Sequence, residues 1–390
     1  GRGDFARDTM YQPGARRMGV TELMQGFTTA TITWVPERPG NWLFHCHLVQ
    51  HMAPLHGLLP DTPSATHATH AAPAGGSAHD PRDHMAGMVM GIHVRGRDVH
   101  RAESAVAPQR RLDLFVQSRD SALARGLRGY GFVLGDPAAP PPRDSIRRPG
   151  APIVLVRGAR VAIRVHNRLA KPLAVHWHGM EIESWFDGVG GSSGAGRSVR
   201  PPIAPGDSFV VRLTAARAGT FIYHTHDEAG SELSTGLYGA LIVEEPNAPR
   251  DTTRDHVIVM GLLGDAATGS LAINGRTDGA PLTLSPGTHR LRFVSIPVDE
   301  QIRVAFVRDS TVQRWRSLAT DGAELPAAQQ VQSAARRTVS AGQTFDVEVT
   351  IPVDAPTNYA LRFTTVWYPT DARGAQPAPV LRVPIVVRPP

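Results

Sequence analysis

The sequence predicts an all-β chain folded as tandem β-sandwiches. Three features point that way. The 390 residues include 38 glycines and 33 prolines, a turn-forming share above the usual ~12% of a globular chain and below the ~25–30% of low-complexity sequence. Short β-branched and aromatic runs recur between those turns, and helical periodicity is nearly absent. The chain also outgrows a single hydrophobic core, which stops near ~250–300 residues, so two or three domains are expected.

The first strands expected are 27–35 (FTTATITWV) and 41–47, the latter after Pro39-Gly40. Residues 54–85 are rich in Ala, Pro, Gly, Ser and His, lack periodicity, and read as an inserted surface loop. A strand at 87–94 (GMVMGIHV) resumes the pattern and completes a first unit, 1–100. A second unit, 105–250, offers strands at 112–116, 130–134, 152–156, 160–166, 173–178, 208–213, 219–224 and 237–244. Eight short strands are the count of a sandwich or barrel. The third unit, 251–390, repeats the style in HVIVMGLL, APLTLSPGTHRLRFVSI, QTFDVEVTI and YALRFTTVW. Both later units carry a Pro-Gly turn before an Arg/Val-rich strand (APGDSFVVRL, SPGTHRLRFV), which suggests a repeated sandwich.

Composition narrows the function classes. The net charge is +6, but Lys171 is the only lysine and the arginines are dispersed among aspartates. A nucleic-acid binder concentrates basic charge on one face or run, so that class is excluded. No stretch approaches the ~18 apolar residues of a membrane-spanning helix. The single cysteine, Cys46, rules out a disulfide framework and every CxxC zinc site.

Three His-X-His pairs stand out: His45-Cys46-His47, His176-Trp177-His178 and His224-Thr225-His226. On a strand, residues i and i+2 share a face about 6.5–7 Å apart while the residue between them faces away. Three pairs therefore offer six imidazoles, which suit copper, zinc, iron or nickel. Cys46, between two histidines, then points the other way, where a thiolate with imidazole makes a blue-copper site. His51 lies four residues beyond His47, where a turn can bring it back toward Cys46. Zinc has no need of a cysteine placed this way, so copper is the metal expected. No cofactor beyond copper is indicated.

The segments GNWLFHCHLVQHM, LAVHWHG and GTFIYHTH…GLYGALIV resemble the multicopper oxidases, the group of laccase, ascorbate oxidase, ferroxidase and ceruloplasmin. The resemblance spans all three units and implies repeated Greek-key cupredoxin sandwiches. It implies one-electron oxidation of a reducing substrate at a type 1 copper and reduction of dioxygen to water at a type 2/type 3 trinuclear cluster. Cys46 and His51 correspond to type 1 ligands, and His45 and His47 to type 3 ligands. His176 resembles the type 2 ligand, and His178, His224 and His226 further type 3 ligands. Asp187, in WFDGVGG, matches a family aspartate that relays protons; the alternative is an Asp-Gly turn. Phenols, Cu(I) and Fe(II) are the candidate reducing substrates. The implied compartment is extracytoplasmic, periplasmic or secreted.

The pattern also departs from the family's. HCHxxxH precedes HWHG, the reverse of the common order, and HPxHxHG is absent. The chain opens inside a unit, with too few residues before Cys46 for a sandwich. It therefore reads as the C-terminal part of a longer protein, incomplete as an oxidase without an HPxHxHG segment from the same chain or another subunit. His56 occupies the usual axial position, so Met88, in a displaced Ala-Gly-Met, is the axial candidate and Leu55 the alternative. The insertion's His67, His70, His79, His84 and Met85 read as a solvated loop or a copper-capturing one. The third unit, with isolated His256 and His289, reads as a cupredoxin without copper ligands. Two other readings stay open: a non-catalytic copper-binding electron-transfer protein, and copper nitrite reductase, which lacks the second histidine of His-Cys-His.

Overall fold

Strands with one buried face must pair off into two layers, and beyond residue 110 they do so twice. The structure, a computed structural model, describes residues 15–24, 28–47, 88–96, 107–120, 122–123, 126–226, 231–264, 269–297, 300–354, 358–366 and 379–388. The fold is all-β, and among these residues the only α-helix is the four-residue Ser231–Ser234.

In the second unit one sheet runs Ser208–Thr214, Arg160–Asn167, Arg110–Arg119, Gly129–Gly135, and the other Gly150–Val156, Tyr238–Glu244, Gly219–Thr225, Val175–His176. Leu114, Phe132, Ile153, Ile163, Trp177 and Tyr223 fill the space between them with essentially no exposure. The third unit repeats this order strand for strand. Thr344–Ile351, Gly287–Ser295, Asp255–Leu263 and Ser270–Ile273 run in that order in the first sheet, which extends beyond Thr344–Ile351 through Arg314–Thr320, Ala323–Glu324 and Gln332–Ala334; Leu282–Leu284, Val380–Val387, Tyr359–Val366 and Gln301–Arg308 run in the second, which adds Thr311–Val312 and Arg336–Val339. The equivalent pairs in both units are parallel: Arg110–Arg119 with Arg160–Asn167, and Asp255–Leu263 with Gly287–Ser295.

This topology shifts the correspondence suggested by the Pro-Gly turns. Ser208–Thr214 is matched by Thr344–Ile351, and Gly287–Ser295 by Arg160–Asn167. The counterpart of Ala204-Pro205-Gly206-Asp207 is thus Ser340-Ala341-Gly342-Gln343, a turn that reappears below. The strands matching those with HWH and HTH, Gln301–Arg308 and Tyr359–Val366, contain no histidine.

An apolar seam of Ile222, Ala240 and Ile242 against Val259, Val294 and Ile296 joins the two units. Beside it, the Thr220 hydroxyl donates to Asp346 (2.9 Å), and Arg292 donates to Thr220 (3.0 Å), Asp346 (3.0 Å) and Asp255 (2.7 Å). A buried cation with two carboxylate partners and a hydroxyl holds the seam in one register.

Before residue 100, the described residues form one antiparallel ribbon, Gly40–His45 with Val89–Val94. The expected strand at 27–35 is not observed over 28–35, where Ile32, Trp34 and Val35 are exposed. Its residue types suit a strand, but β-propensity needs a neighbouring strand to act on, and none pairs with it here. The expected strand at 173–178 shrinks to Val175–His176.

Candidate metal centre

The Tyr223-His224-Thr225-His226 run pairs with the residues before Trp177 so that partners face one another. His224 lies opposite His176 and Thr225 opposite Val175, and the His226 amide donates to Ala174 O at 3.1 Å. Directly opposite residues share a face, so His176 and His224 emerge together, with ring centroids 5.4 Å apart. The alternate residues turn inward: Trp177 is fully buried in the sandwich core and Thr225 is 3% exposed. Gly188 fixes the turn behind this strand. It sits at φ +84, and a Cβ there would overlap Val175 O and lie 2.6 Å from the Val175 carbonyl carbon.

The ribbon carrying the third pair is pinned to the second unit. The Ser184 hydroxyl donates to Asn41 O (2.6 Å), the Asn41 amide donates to Gly196 O (2.9 Å), and the Gly196 N–H donates back to Asn41 Oδ1 (2.9 Å). Arg38 lies 3.5 Å from the buried Glu183 carboxylate. Gly40 sits at φ +135, and a Cβ there would lie only 2.5 Å from Ser184 Cβ, so this approach requires glycine.

Six rings converge as a result. His45 and His47 stack at 4.8 Å, His45 meets His226 at 5.5 Å, and His47 meets His178 at 5.0 Å. His176 contacts His178 and His226, each at 5.5 Å. Ligand atoms of His176, His178 and His224 all lie within 4.8 Å of one another. His45 and His47 are closer than strand spacing allows because the strand ends at His45 and His47 lies on a bend. The Cys46 N–H donates to Met88 O at 3.0 Å, one step beyond the His45↔Val89 pair, so Met88 faces Cys46 across the ribbon. Met88 is 64% exposed. His51, Leu55 and the 54–85 insertion lie outside the described residues. His256 and His289 are not isolated: they share a hydrogen bond of 3.0 Å, away from the cluster's contacts.

Each ring nitrogen that meets a carbonyl must carry the proton, since a carbonyl only accepts. Nδ1 of His45 bonds Cys46 O (2.9 Å), Nδ1 of His176 bonds Asp187 O (2.8 Å), and Nδ1 of His224 bonds Thr225 O (2.7 Å). Nε2 of these three rings is left with its lone pair, the second-partner arrangement usual for metal-binding imidazoles. Burial keeps the rings neutral, lowering His176 to about 4 and His224 to about 3. It drives His47, His178 and His226 well below the usual value, helped by the neighbouring rings. His45 is lowered too. Burial acts oppositely on Asp187, whose carboxyl is pushed up to about 7 and lies 3.5 Å from His176 Nδ1.

These shifts set the acid sensitivity of the metal-free protein. The unfolded chain takes up histidine protons near pH 6.5 that the folded cluster takes up only at lower pH, about 4 for His176 and about 3 for His224, so this contribution is present above pH 6.5 and lost as pH falls. Asp187 works the other way between 3.8 and about 7, but it is one group against six. The melting temperature of the metal-free chain should therefore drop from pH 7 to pH 4.5; a flat or rising profile would contradict the buried neutral cluster.

Two segments match family models described as multicopper oxidase, residues 6–54 and residues 147–248. They contain all three His-X-His pairs. Over these two segments the chain is similar to the multicopper oxidases. Multicopper oxidase MCE of Talaromyces pinophilus is 40% identical over 108 residues, covering 27% of this chain and 17% of that protein. Copper resistance protein A of Escherichia coli is 33% identical over 114 residues, covering 29% and 17%. Laccase 1 of Metarhizium acridum is 39% identical over 95 residues, covering 24% and 14%. The matches thus span less than a fifth of these relatives. The blue copper oxidase of Nitrosomonas europaea superposes with TM-score 0.53 at 21% identity over 71% of this chain and 86% of that one, which establishes the shared fold.

Copper is the metal of the multicopper oxidases these segments resemble, and the cluster suits it: buried neutral imidazoles, three with their other nitrogen already anchored. The six histidines singled out from the sequence converge, and Asp187 lies beside His176. Sequence reasoning missed Asn41, Ser184 and Thr21, whose hydroxyl lies 3.2 Å from His178 Nε2. No spacing marks them, because their role comes from contacts 143 or more residues away in the chain.

Proposed function

We propose that the chain is part of an oxidase that couples one-electron oxidation of a reducing substrate to the reduction of dioxygen to water. The convergence of three His-X-His pairs, with Cys46 between two of the rings, is the observation that supports it. The substrate is a phenol, as the laccase relatives suggest, or a metal ion, Cu(I) or Fe(II), as the copper resistance relatives suggest. The compartment is periplasmic or secreted. Three units divide the work: 1–100 and 105–250 carry the ligands, and 251–390 carries none.

In this reading Cys46 and His51 would hold a type 1 copper, with Met88 as a further ligand (Leu55 is the alternative). His176 belongs to type 2 copper, and His45, His47, His178, His224 and His226 to the type 3 pair. Bound copper supplies one-electron acceptance from the substrate and the centre at which dioxygen is reduced. The chain's residues do the rest. The backbone on either side of Cys46 joins its sulfur directly to His45 and His47, a short covalent path between the two ligand sets. The carbonyls of Cys46, Asp187 and Thr225 hold three rings in one tautomer. The Asp187 carboxyl, which burial pushes up to about 7, can take up and give back a proton near neutral pH, 3.5 Å from the His176 ring.

Cys46→Ser tests this function. In copper-loaded protein that includes the HPxHxHG-bearing segment, the substitution should abolish the blue absorption and the oxygen uptake with a hydroquinone, while copper at the histidine cluster remains. Unchanged oxygen uptake in Cys46→Ser would overturn the assignment of Cys46 as the entry point for electrons.

A further inference from the structure

The third unit brings no histidine to the cluster, yet its turns close against it. Asp321, a non-glycine residue at φ +47, is 4% exposed. Its Oδ2 accepts the backbone N–H groups of Val20 (3.0 Å) and Thr21 (3.1 Å), and its Oδ1 accepts that of Thr344 (3.1 Å). The Gln343 amide donates to Thr21 O at 3.2 Å. Residues 20–21 are therefore buckled to the third unit, with Thr21 held at both its N–H and its carbonyl. That buckle presents the Thr21 hydroxyl to His178 Nε2 at 3.2 Å.

The neighbouring turn is shaped for the same purpose. Gly342, at φ +80, leaves a Cβ position only 2.7 Å from His47 Cε1 and 3.1 Å from Thr21 Oγ1, so any side chain there would push His47 or Thr21 away. Topologically this turn is the counterpart of the second unit's Pro205-Gly206 turn, whose glycine has nothing within 4 Å. The repeated unit has put an ordinary turn to a new use.

We infer that the third unit is a working part of the metal site: Asp321 positions Thr21 on His178, and Gly342 admits the His47 ring. Thr21 and Asp321 are positioning residues. The inference rests on the six-histidine cluster being the copper site, and its test separates the two. Buried carboxylate-to-amide clamps of this kind order a segment, and partners of ligand imidazoles typically change metal affinity ~10–100-fold when removed.

The test uses the full chain and Cu(II) alone. In the metal-free protein, hydrogen exchange at the Val20 and Thr21 amides should quicken about tenfold or more in Asp321→Ala and stay unchanged in Thr21→Val. Both variants should release Cu(II) to a chelator about tenfold faster or more and alter the copper EPR signal, while Thr21→Ser behaves like the wild type. The double variant should be no worse than the more affected single one, since both act through one contact. Thr21→Val removes only a hydroxyl, so it remains informative should Asp321→Ala fold poorly. Wild-type copper retention and EPR in Thr21→Val would overturn this inference and leave the copper site standing. Failure of the wild type to bind copper at all would overturn both.

Discussion

The double substitution His176→Ala/His224→Ala should leave a folded chain that no longer holds copper at the histidine cluster. These two rings face each other across the pairing of Val175–His176 with Gly219–Thr225, and both present Nε2 lone pairs to the same space. Loss of a single outer partner of a metal ligand already weakens binding ~10–100-fold, so loss of two ligands should exceed that by a wide margin. The cost to folding is smaller. Each substitution removes one hydrogen bond to a backbone carbonyl, at Asp187 O (which still faces the Trp177 N–H at 3.4 Å) or Thr225 O, at about 0.5–1.5 kcal/mol. Copper content after dialysis, read beside urea unfolding, separates the possibilities. A variant that keeps its copper but loses stability would mean that the rings serve packing alone.

Gly188→Ala should destabilise the protein by more than about 3 kcal/mol and loosen copper as well. Any L-residue in the left-handed region costs about 1–2 kcal/mol. At Gly188 the added Cβ also overlaps Val175 O and lies 3.1 Å from His176 Cα, which are backbone atoms already committed to the paired strand. They cannot retreat without breaking the register that sets His176 against His224. Gly158→Ala is the control: its φ of +79 is nearly the same, but no atom lies within 4 Å of the added carbon. It should cost only the backbone term. Equal urea midpoints for the two variants would show that strand overlap is unimportant.

Much of this was legible in the linear chain because it rests on alternation. His-Trp-His and His-Thr-His place two polar rings on one face and send Trp177 and Thr225 into the sandwich, as a two-residue period requires. The all-β class followed from turn content and strand-like runs for the same reason. Where a contact depends on distant partners, the chain carried no sign of it. The run 28–35 reads as a strand on residue type but has no neighbour to pair with. The Pro-Gly turns suggested one correspondence between units and the hydrogen-bonded order gives another, because a turn motif marks a bend and not a position in a sheet. Thr21, Asp321 and Gly342 reach the cluster from opposite ends of the chain. Asp321 in particular reads locally as an Asp-Gly turn, and only its three backbone donors show what it holds.

Crystals grown with copper and measured on either side of the copper absorption edge test the cluster most directly. Anomalous peaks should lie among the six rings, with one bounded by His176, His178 and His224. Copper found only elsewhere on the chain, with those three imidazoles bonded to protein and water alone, would contradict the site.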